Sequence, residues 1–174
     1  MTTPTVTLGA DVDLPDSTHG ATPIYVAAEY GGLSVIKILA AAGADLDRRE
    51  QSTGFPPIWA AARDGHLMVV RYLAHRGADV HALGYLGRSS LYVAAEFGFA
   101  SVVRLLGALA PPLVTQPDHY GNRLNTPLRA SIVHGRLDVA KALLLLGAPV
   151  TARDLPPRPH PHGASPPLRT APHA

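Results

Sequence analysis

Apolar and polar positions alternate along the chain with the spacing of short helices. In residues 22–42, the apolar residues Val35, Ile36, Ile38 and Leu39 recur at intervals that place them on one face of a helix. A shorter apolar run precedes them and ends at a pair of glycines. This pattern predicts two short helices joined by a turn, with the second helix burying that apolar face.

Start and stop signals bound both predicted helices. Thr22 is a good N-cap, and Pro23 suits the first helical position, where a backbone N–H is not needed. Gly31 and Gly43 follow the two apolar runs and accept the left-handed conformation that ends a helix. Each helix is shorter than the roughly 12 residues at which isolated helices become marginally stable. Packing on neighbouring units must therefore supply the stability.

The same unit recurs along the chain. The phrase "GADVD" begins at Gly9, "GADLD" at Gly43 and "GADVH" at Gly77, so the phrase returns every 34 residues. A related phrase, "GAPVT", begins at Gly147. A fixed period of this length is typical of stacked repeats, in which each unit packs only on its neighbours.

The segments "ATPIYVAAEYGG" at 21–32 and "AAARDGHLMVVRYLAHRGADV" at 60–80 resemble the ankyrin repeat family at several fixed offsets. The resemblance covers residues 17–151. It implies an all-α repeat solenoid of stacked helix-turn-helix repeats with β-turn fingers, in which the first helices line a concave face. A finger is the turn segment that precedes the first helix of a repeat.

The resemblance also suggests how the chain is divided. Because the chain starts within a repeat, we expect either a piece of a longer array or a first repeat that serves as its own cap. The Pro-rich C-terminal segment lacks apolar periodicity and is expected to be disordered. The predicted segments are 1–15, the tail of a truncated repeat; four repeats within 16–151, at about 16–49, 50–82, 83–116 and 117–151; and the tail, 152–174.

This chain departs from the family pattern at one position of every repeat. The His of the Thr-Pro-Leu-His motif is replaced by Tyr25, Trp59, Tyr92 and Arg129. The hydrogen bonds that this His makes in the family are therefore not expected in the same form. Bulkier side chains are expected to fill the space.

Two further departures affect turns. Repeat three reads Ala110-Pro111-Pro112 where Gly-Ala-Asp is expected, and the two prolines remove two backbone donors. Repeat four inserts "NRLN" at 122–125, which predicts an enlarged finger. Insertions in repeat arrays often lie on the binding side.

Composition excludes several classes of protein. A formal net charge of +2 is too small to indicate a nucleic-acid partner, which needs clustered Lys and Arg. The absence of cysteine excludes disulfides and zinc thiolate sites. No apolar stretch approaches the roughly 20 residues that span a bilayer, and no signal-like start is present. We expect an intracellular protein, cytoplasmic or nuclear, with no membrane partner.

Motifs for catalysis and cofactors are also missing from the sequence. The 9 histidines form no His-Glu-x-x-His pattern, and no Gly-x-Ser-x-Gly, phosphate loop or dinucleotide fingerprint occurs. Glycines are explained by turns and helix ends. We therefore predict no enzyme, no metal site and no cofactor.

Binding by a protein surface remains, and the resemblance indicates which residues form it. In the family, contacts come from the fingers and from the two residues before the Gly that ends the first helix. Tyr30 and Phe97 follow a Glu at that position and either pack on the adjacent repeat or face a partner. The predicted binding residues are His19, Tyr30, Phe55, Arg63, Asp64, Tyr85, Arg88, Phe97, His119, Tyr120, Arg123 and His134.

The sequence thus predicts a non-enzymatic, monomeric module that binds another protein through the concave face and fingers. Two alternatives stay open. The chain matches small four-repeat ankyrin inhibitors of kinases in repeat number, although it has none of their distinctive motifs. It is also compatible with the repeat segment of a larger scaffold or enzyme.

Overall fold

The computed structural model describes residues 11–84, 87–118 and 125–151. Within them the chain forms eight α-helices arranged as four pairs, which confirms the predicted all-α repeat fold. None of these helices has the length and apolarity needed to cross a bilayer. The pairs are α1 Pro23–Glu29 and α2 Leu33–Ala41, α3 Pro57–Arg63 and α4 Leu67–His75, α5 Ser90–Phe97 and α6 Ala100–Leu109, and α7 Pro127–Val133 and α8 Leu137–Leu145.

The predicted helix signals act as expected. The Thr22 hydroxyl accepts a hydrogen bond from the Tyr25 N–H at 3.4 Å, which caps α1. Ser89 caps α5 in the same way, with a distance of 3.1 Å from its hydroxyl to the Tyr92 nitrogen. Gly31 has a φ of 72°, in the left-handed region that glycine adopts without penalty.

The helices pack in two layers. The first helices α1, α3, α5 and α7 lie in sequence against one another, and the second helices form the parallel layer. Equivalent residues of the first helices, Ile24, Ile58, Leu91 and Leu128, are all buried. They belong to one continuous core that runs through all four pairs. Each pair therefore depends on its neighbours, as repeat proteins do.

The proline-bearing segment after α6 replaces the usual turn. Pro111–Val114 forms a 3₁₀ helix, within which Leu113 and Val114 are buried. The Leu113 N–H donates to the carbonyl of Ala110 at 3.0 Å. The missing proline donors are thus accommodated by a tighter helix that adds apolar side chains to the core.

The predicted apolar face of α2 is only partly buried, which corrects the sequence analysis. Ile36 is fully buried, but Val35 is 50% and Ile38 is 64% exposed. In the next repeat Val69 occupies the position equivalent to Val35 and is buried, because α4 packs against α2. Helical periodicity identifies the positions that face a neighbouring repeat, but a side chain there is buried only where a neighbouring helix covers it.

We expect the amides of residues 22–42 to exchange with solvent faster than those of residues 56–76. The reason is that α1 and α2 expose flank positions that are buried in the second pair. Native-state hydrogen exchange read by mass spectrometry compares the two segments within one molecule. Equal protection would show that the exposed flank does not weaken the first pair.

Candidate functional site

The C-terminal ends of the four first helices form a surface that we call the helix-end row. Because α1, α3, α5 and α7 are stacked, these ends are neighbours in space. Nε2 of His66 lies 2.9 Å from the carbonyl oxygen of Glu29, and Nε of Arg136 donates to the carbonyl of Glu96 at 3.2 Å. The row consists of Glu29, Tyr30, Arg63, Asp64, Glu96, Phe97, Val133 and His134.

In repeats one and two, the row is organised by Arg63. Nη2 of Arg63 lies 2.7 Å from Oε1 of Glu29 and 2.7 Å from Oδ2 of Asp64. Its Nε donates to Oδ1 of Asp64 at 3.1 Å, so that pair is bidentate. Planar contacts of this kind fix the guanidinium in place. Two predicted binding residues, Arg63 and Asp64, therefore form an ion pair with each other.

In repeats three and four, Arg88 reaches across the fingers. Its Nη1 lies 3.1 Å from Oε2 of Glu96, and its Nε lies 3.5 Å from Oδ2 of Asp118. Nε2 of His134 lies 3.7 Å from Oε1 of Glu96. Three residues predicted from separate parts of the sequence, Arg88, Phe97 and His134, are thus brought to one region by Glu96 and its neighbours.

The exposed rings of the row are Tyr30 and Phe97. Tyr30 is 78% exposed and Phe97 is 48% exposed. Both rings therefore present accessible surface to a partner, Tyr30 most of its side chain and Phe97 about half of it. Large exposed aromatic side chains are frequent at the centres of protein interfaces.

The fingers place the other predicted residues differently. His19 is exposed, and its N–H donates to Oδ1 of Asp16 at 2.7 Å. Phe55 is half-buried and stacks on Trp59, with ring centroids 3.6 Å apart. Phe55 therefore contributes mainly to internal packing. Four predicted residues lie outside the described residues and stay predictions: Tyr85, His119, Tyr120 and Arg123.

Two buried carboxylates in the fingers were missed by the sequence analysis. Glu50 is 3% and Asp118 is 0% exposed. Glu50 accepts hydrogen bonds from the N–H and hydroxyl groups of both Ser52 and Thr53. Burial by itself raises the pKa of Glu50, but these hydrogen bonds outweigh it and lower the pKa below its usual value. The sequence did contain a signal for these carboxylates, namely an acidic residue that recurs at one position of the fingers.

The tyrosines at the substituted histidine positions face these carboxylates. Burial is the main cause that raises the pKa of Tyr25 to about 12; the charge of Arg63 opposes it, and the charges of Glu29 and Glu50 act in the same direction as burial. Burial, then the charges of Asp118 and Glu96, likewise raises the pKa of Tyr92. Each ring therefore stays neutral and sits beside a finger of the following repeat.

The polar clusters of the row are ion pairs and hydrogen bonds between side chains that hold the repeats together. Within residues 11–84, 87–118 and 125–151, no group of three or more His, Asp or Glu side chains is placed to hold a metal ion. The row presents ion-paired side chains together with the exposed rings of Tyr30 and Phe97.

Comparison with known families agrees with this geometry. A family model described as ankyrin repeats, in three copies, matches residues 5–83. A model for a single ankyrin repeat matches residues 123–155. Between the two matches lie residues 84–122, which contain α5, α6 and the 3₁₀ helix. Among curated proteins, none matches the chain significantly.

Proposed function

Because the chain belongs to the ankyrin repeat family, whose members generally serve as protein–protein interaction modules, we propose that it is a non-enzymatic module that binds a protein partner. The partner contacts the concave face, which comprises the helix-end row and the fingers. The observation that carries this proposal is the exposure of Tyr30 and Phe97 beside fixed ion pairs.

The two rings are suited to be anchors. Aromatic side chains bury a large area on binding and have few rotamers to lose, so they dominate interface energetics. Tyr30 lies next to the Glu29–Arg63 pair, and Phe97 lies next to Glu96, which is held by Arg88. Each ring thus has next to it charges that are already fixed by internal partners, and polar groups beside an apolar anchor are typical of interfaces.

We expect Tyr30→Ala and Phe97→Ala each to weaken partner binding by about 1 to 3 kcal/mol, as anchor residues do. Their effect on stability should be small because both rings are exposed. The partner is first captured with the full chain as bait and identified by mass spectrometry. Titration calorimetry then measures the affinity, and thermal melts measure the stability of each variant.

A matched control for these substitutions is Leu109→Ala, which also removes an exposed apolar side chain, 51% exposed, but from the second-helix layer. It should leave the affinity unchanged. If Tyr30→Ala and Phe97→Ala bind as the wild type does, or if Leu109→Ala weakens binding equally, the helix-end row is not the binding face.

A further inference from the structure

One position in each finger determines what lies over the first helix. It is the residue immediately before the N-cap, and in repeats two, three and four it contacts the side chain four residues later. Phe55 stacks on Trp59, the guanidinium of Arg88 lies 5.4 Å from the ring centroid of Tyr92, and Nε of Arg129 donates to Asn125 at 3.1 Å. In repeat one the position is held by Ala21, whose short side chain packs with Tyr25 and carries no charge to place over the ring.

In repeats three and four, Arg88 fills a site made for a guanidinium. The site consists of the ring of Tyr92 and the carboxylates of Glu96 and Asp118, and we call it the guanidinium box. Asp118 is buried, so its charge needs a nearby cation. Aromatic stacking combined with carboxylate contacts is a combination that arginine satisfies better than lysine.

The same box is present in repeats one and two. Tyr25, Glu29 and Glu50 occupy the positions equivalent to Tyr92, Glu96 and Asp118. Tyr25, Glu29 and Glu50 line one cleft, so the tyrosine and both carboxylates lie together, as Tyr92, Glu96 and Asp118 do around Arg88. The tyrosine and both acids are therefore repeated, while the arginine is replaced by Ala21.

A cleft stands where the arginine is lacking. It has a volume of about 390 Å³, is open to solvent, and is lined by residues of the first two fingers and of α1. The carboxylates around it outnumber the cationic groups, which gives the cleft a negative potential. The residues that line the cleft include Asp16, Ala21, Tyr25, Glu29, Glu50 and Arg63.

Arg63 borders this cleft and pairs with one of its carboxylates, Glu29, but most of its contacts lie within its own repeat. It makes a bidentate contact with Asp64, and its Cζ lies 5.8 Å from the ring centroid of Trp59, in its own repeat. It reaches only Oε1 of Glu29. Repeat two, in contrast, has no acidic box of its own, because Arg63 and Gly84 stand at the two carboxylate positions and Phe55 covers Trp59.

We propose that the cleft between repeats one and two receives an arginine side chain of the protein partner, placed against Tyr25, Glu29 and Glu50 as Arg88 is placed against its own box. This inference rests on the proposed function, since the cleft adjoins Tyr30 on the same face, and it specifies the chemistry of the partner. The guanidinium adds positive charge to a cleft lined by three carboxylates and one arginine, and it donates to Glu29.

The first test uses N-acetyl-arginine amide as the probe and the corresponding citrulline amide, which has nearly the same shape and no charge. Both are titrated into the 15N-labelled full chain and followed by NMR. We expect the arginine probe to shift the amides of Ala21, Tyr25, Ser52 and Thr53. The citrulline probe should bind at least about tenfold more weakly, because it forms no charge-assisted hydrogen bonds.

The second test fills or empties the two boxes. Ala21→Arg should place an internal guanidinium in the cleft, abolish the shifts caused by the arginine probe and raise the melting temperature. Ala21→Met, which adds similar length without charge, should not raise it. Arg88→Ala should open the second box and add probe-dependent shifts near Tyr92. Should Arg88→Ala fail to fold, the wild-type titration and Ala21→Arg decide the question.

Three results would overturn the proposal: equal affinity for the citrulline probe, shifts confined to other parts of the chain, or an undiminished response in Ala21→Arg. These results are separable from a failure of the proposed function. If the partner is lost on Tyr30→Ala but retained by Ala21→Arg, the face binds the partner without an arginine in this cleft. If the probe binds as expected and neither Tyr30→Ala nor Phe97→Ala weakens partner binding, the cleft binds a guanidinium but the helix-end row is not the binding face.

Discussion

Replacing Trp59 by alanine is expected to lower the free energy of unfolding by about 3 to 5 kcal/mol, the range for removing a large buried aromatic side chain. Trp59 is 5% exposed and belongs to the core that runs through all four helix pairs. Its ring is also parallel to that of Phe55, with an angle of 3° between the planes. Removing it leaves a cavity and takes away the support of Phe55.

The position of Phe55 makes this loss difficult to repair. Phe55 also lies close to Gly84, where an added Cβ would lie 1.8 Å from the Phe55 ring. Because Phe55 is packed against both Gly84 and Trp59, it has little freedom to fill the space that Trp59 leaves. Collapse of the site is thereby limited, and limited collapse is what makes a truncation costly.

Trp59→Phe is the matched control for this experiment. It keeps an aromatic ring for the stack and loses the indole N–H, which has no hydrogen-bond acceptor among the described residues. We therefore expect a clearly smaller loss than for Trp59→Ala in denaturant-unfolding measurements. A loss below about 1 kcal/mol for Trp59→Ala, within the range of ordinary substitutions, would contradict the assignment of the ring to the core.

Leu73→Ala is expected to lower the free energy of unfolding by about 2 to 5 kcal/mol through lost burial and the cavity left behind. Leu73 is fully buried in α4, together with Val69 and Val70. Its backbone carbonyl also accepts the N–H of Ala78 at 3.0 Å, which ties the end of α4 to the next turn. Chemical denaturation read by circular dichroism measures the change.

Two alanine substitutions in α2 are controls for this second experiment. Leu39→Ala should cost less than Leu73→Ala, because Leu39 is only partly buried against the core. Ile38→Ala should change stability by no more than about 0.5 kcal/mol, as exposed substitutions do, because Ile38 is 64% exposed. If all three substitutions cost the same, the burial described for α2 and α4 is wrong.

Local signals predicted the helices well because their physics is local. Thr22 and Gly31 act through their own backbone neighbours, so their spacing in the sequence was enough to place the ends of α1. The 34-residue recurrence extended that reasoning to the other units. Tyr30 and Phe97 were placed at the exposed ends of first helices by the same counting, and both are exposed.

Side-chain partners were not predictable by such counting, whether they lie far apart or close together in the sequence. The pairing of Arg88 with Asp118 joins a finger of repeat three to a finger of repeat four. The burial of Glu50 depends on a turn in which Ser52 and Thr53 donate to its side chain. Phe55 was assigned to the binding surface from its place in a finger, yet it packs on Trp59.

The sequence by itself determined the repeat period, the helix boundaries and the family, since these follow from the order and spacing of residues along the chain. Only the tertiary structure decided which polar side chains meet and which apolar positions are covered. Val35 and Val69 show the physical reason: they occupy equivalent helical positions, yet one is half-exposed and the other is buried by a packed neighbour. Side chains become buried or form ion pairs only where two surfaces are in contact, and those contacts form when the repeats stack.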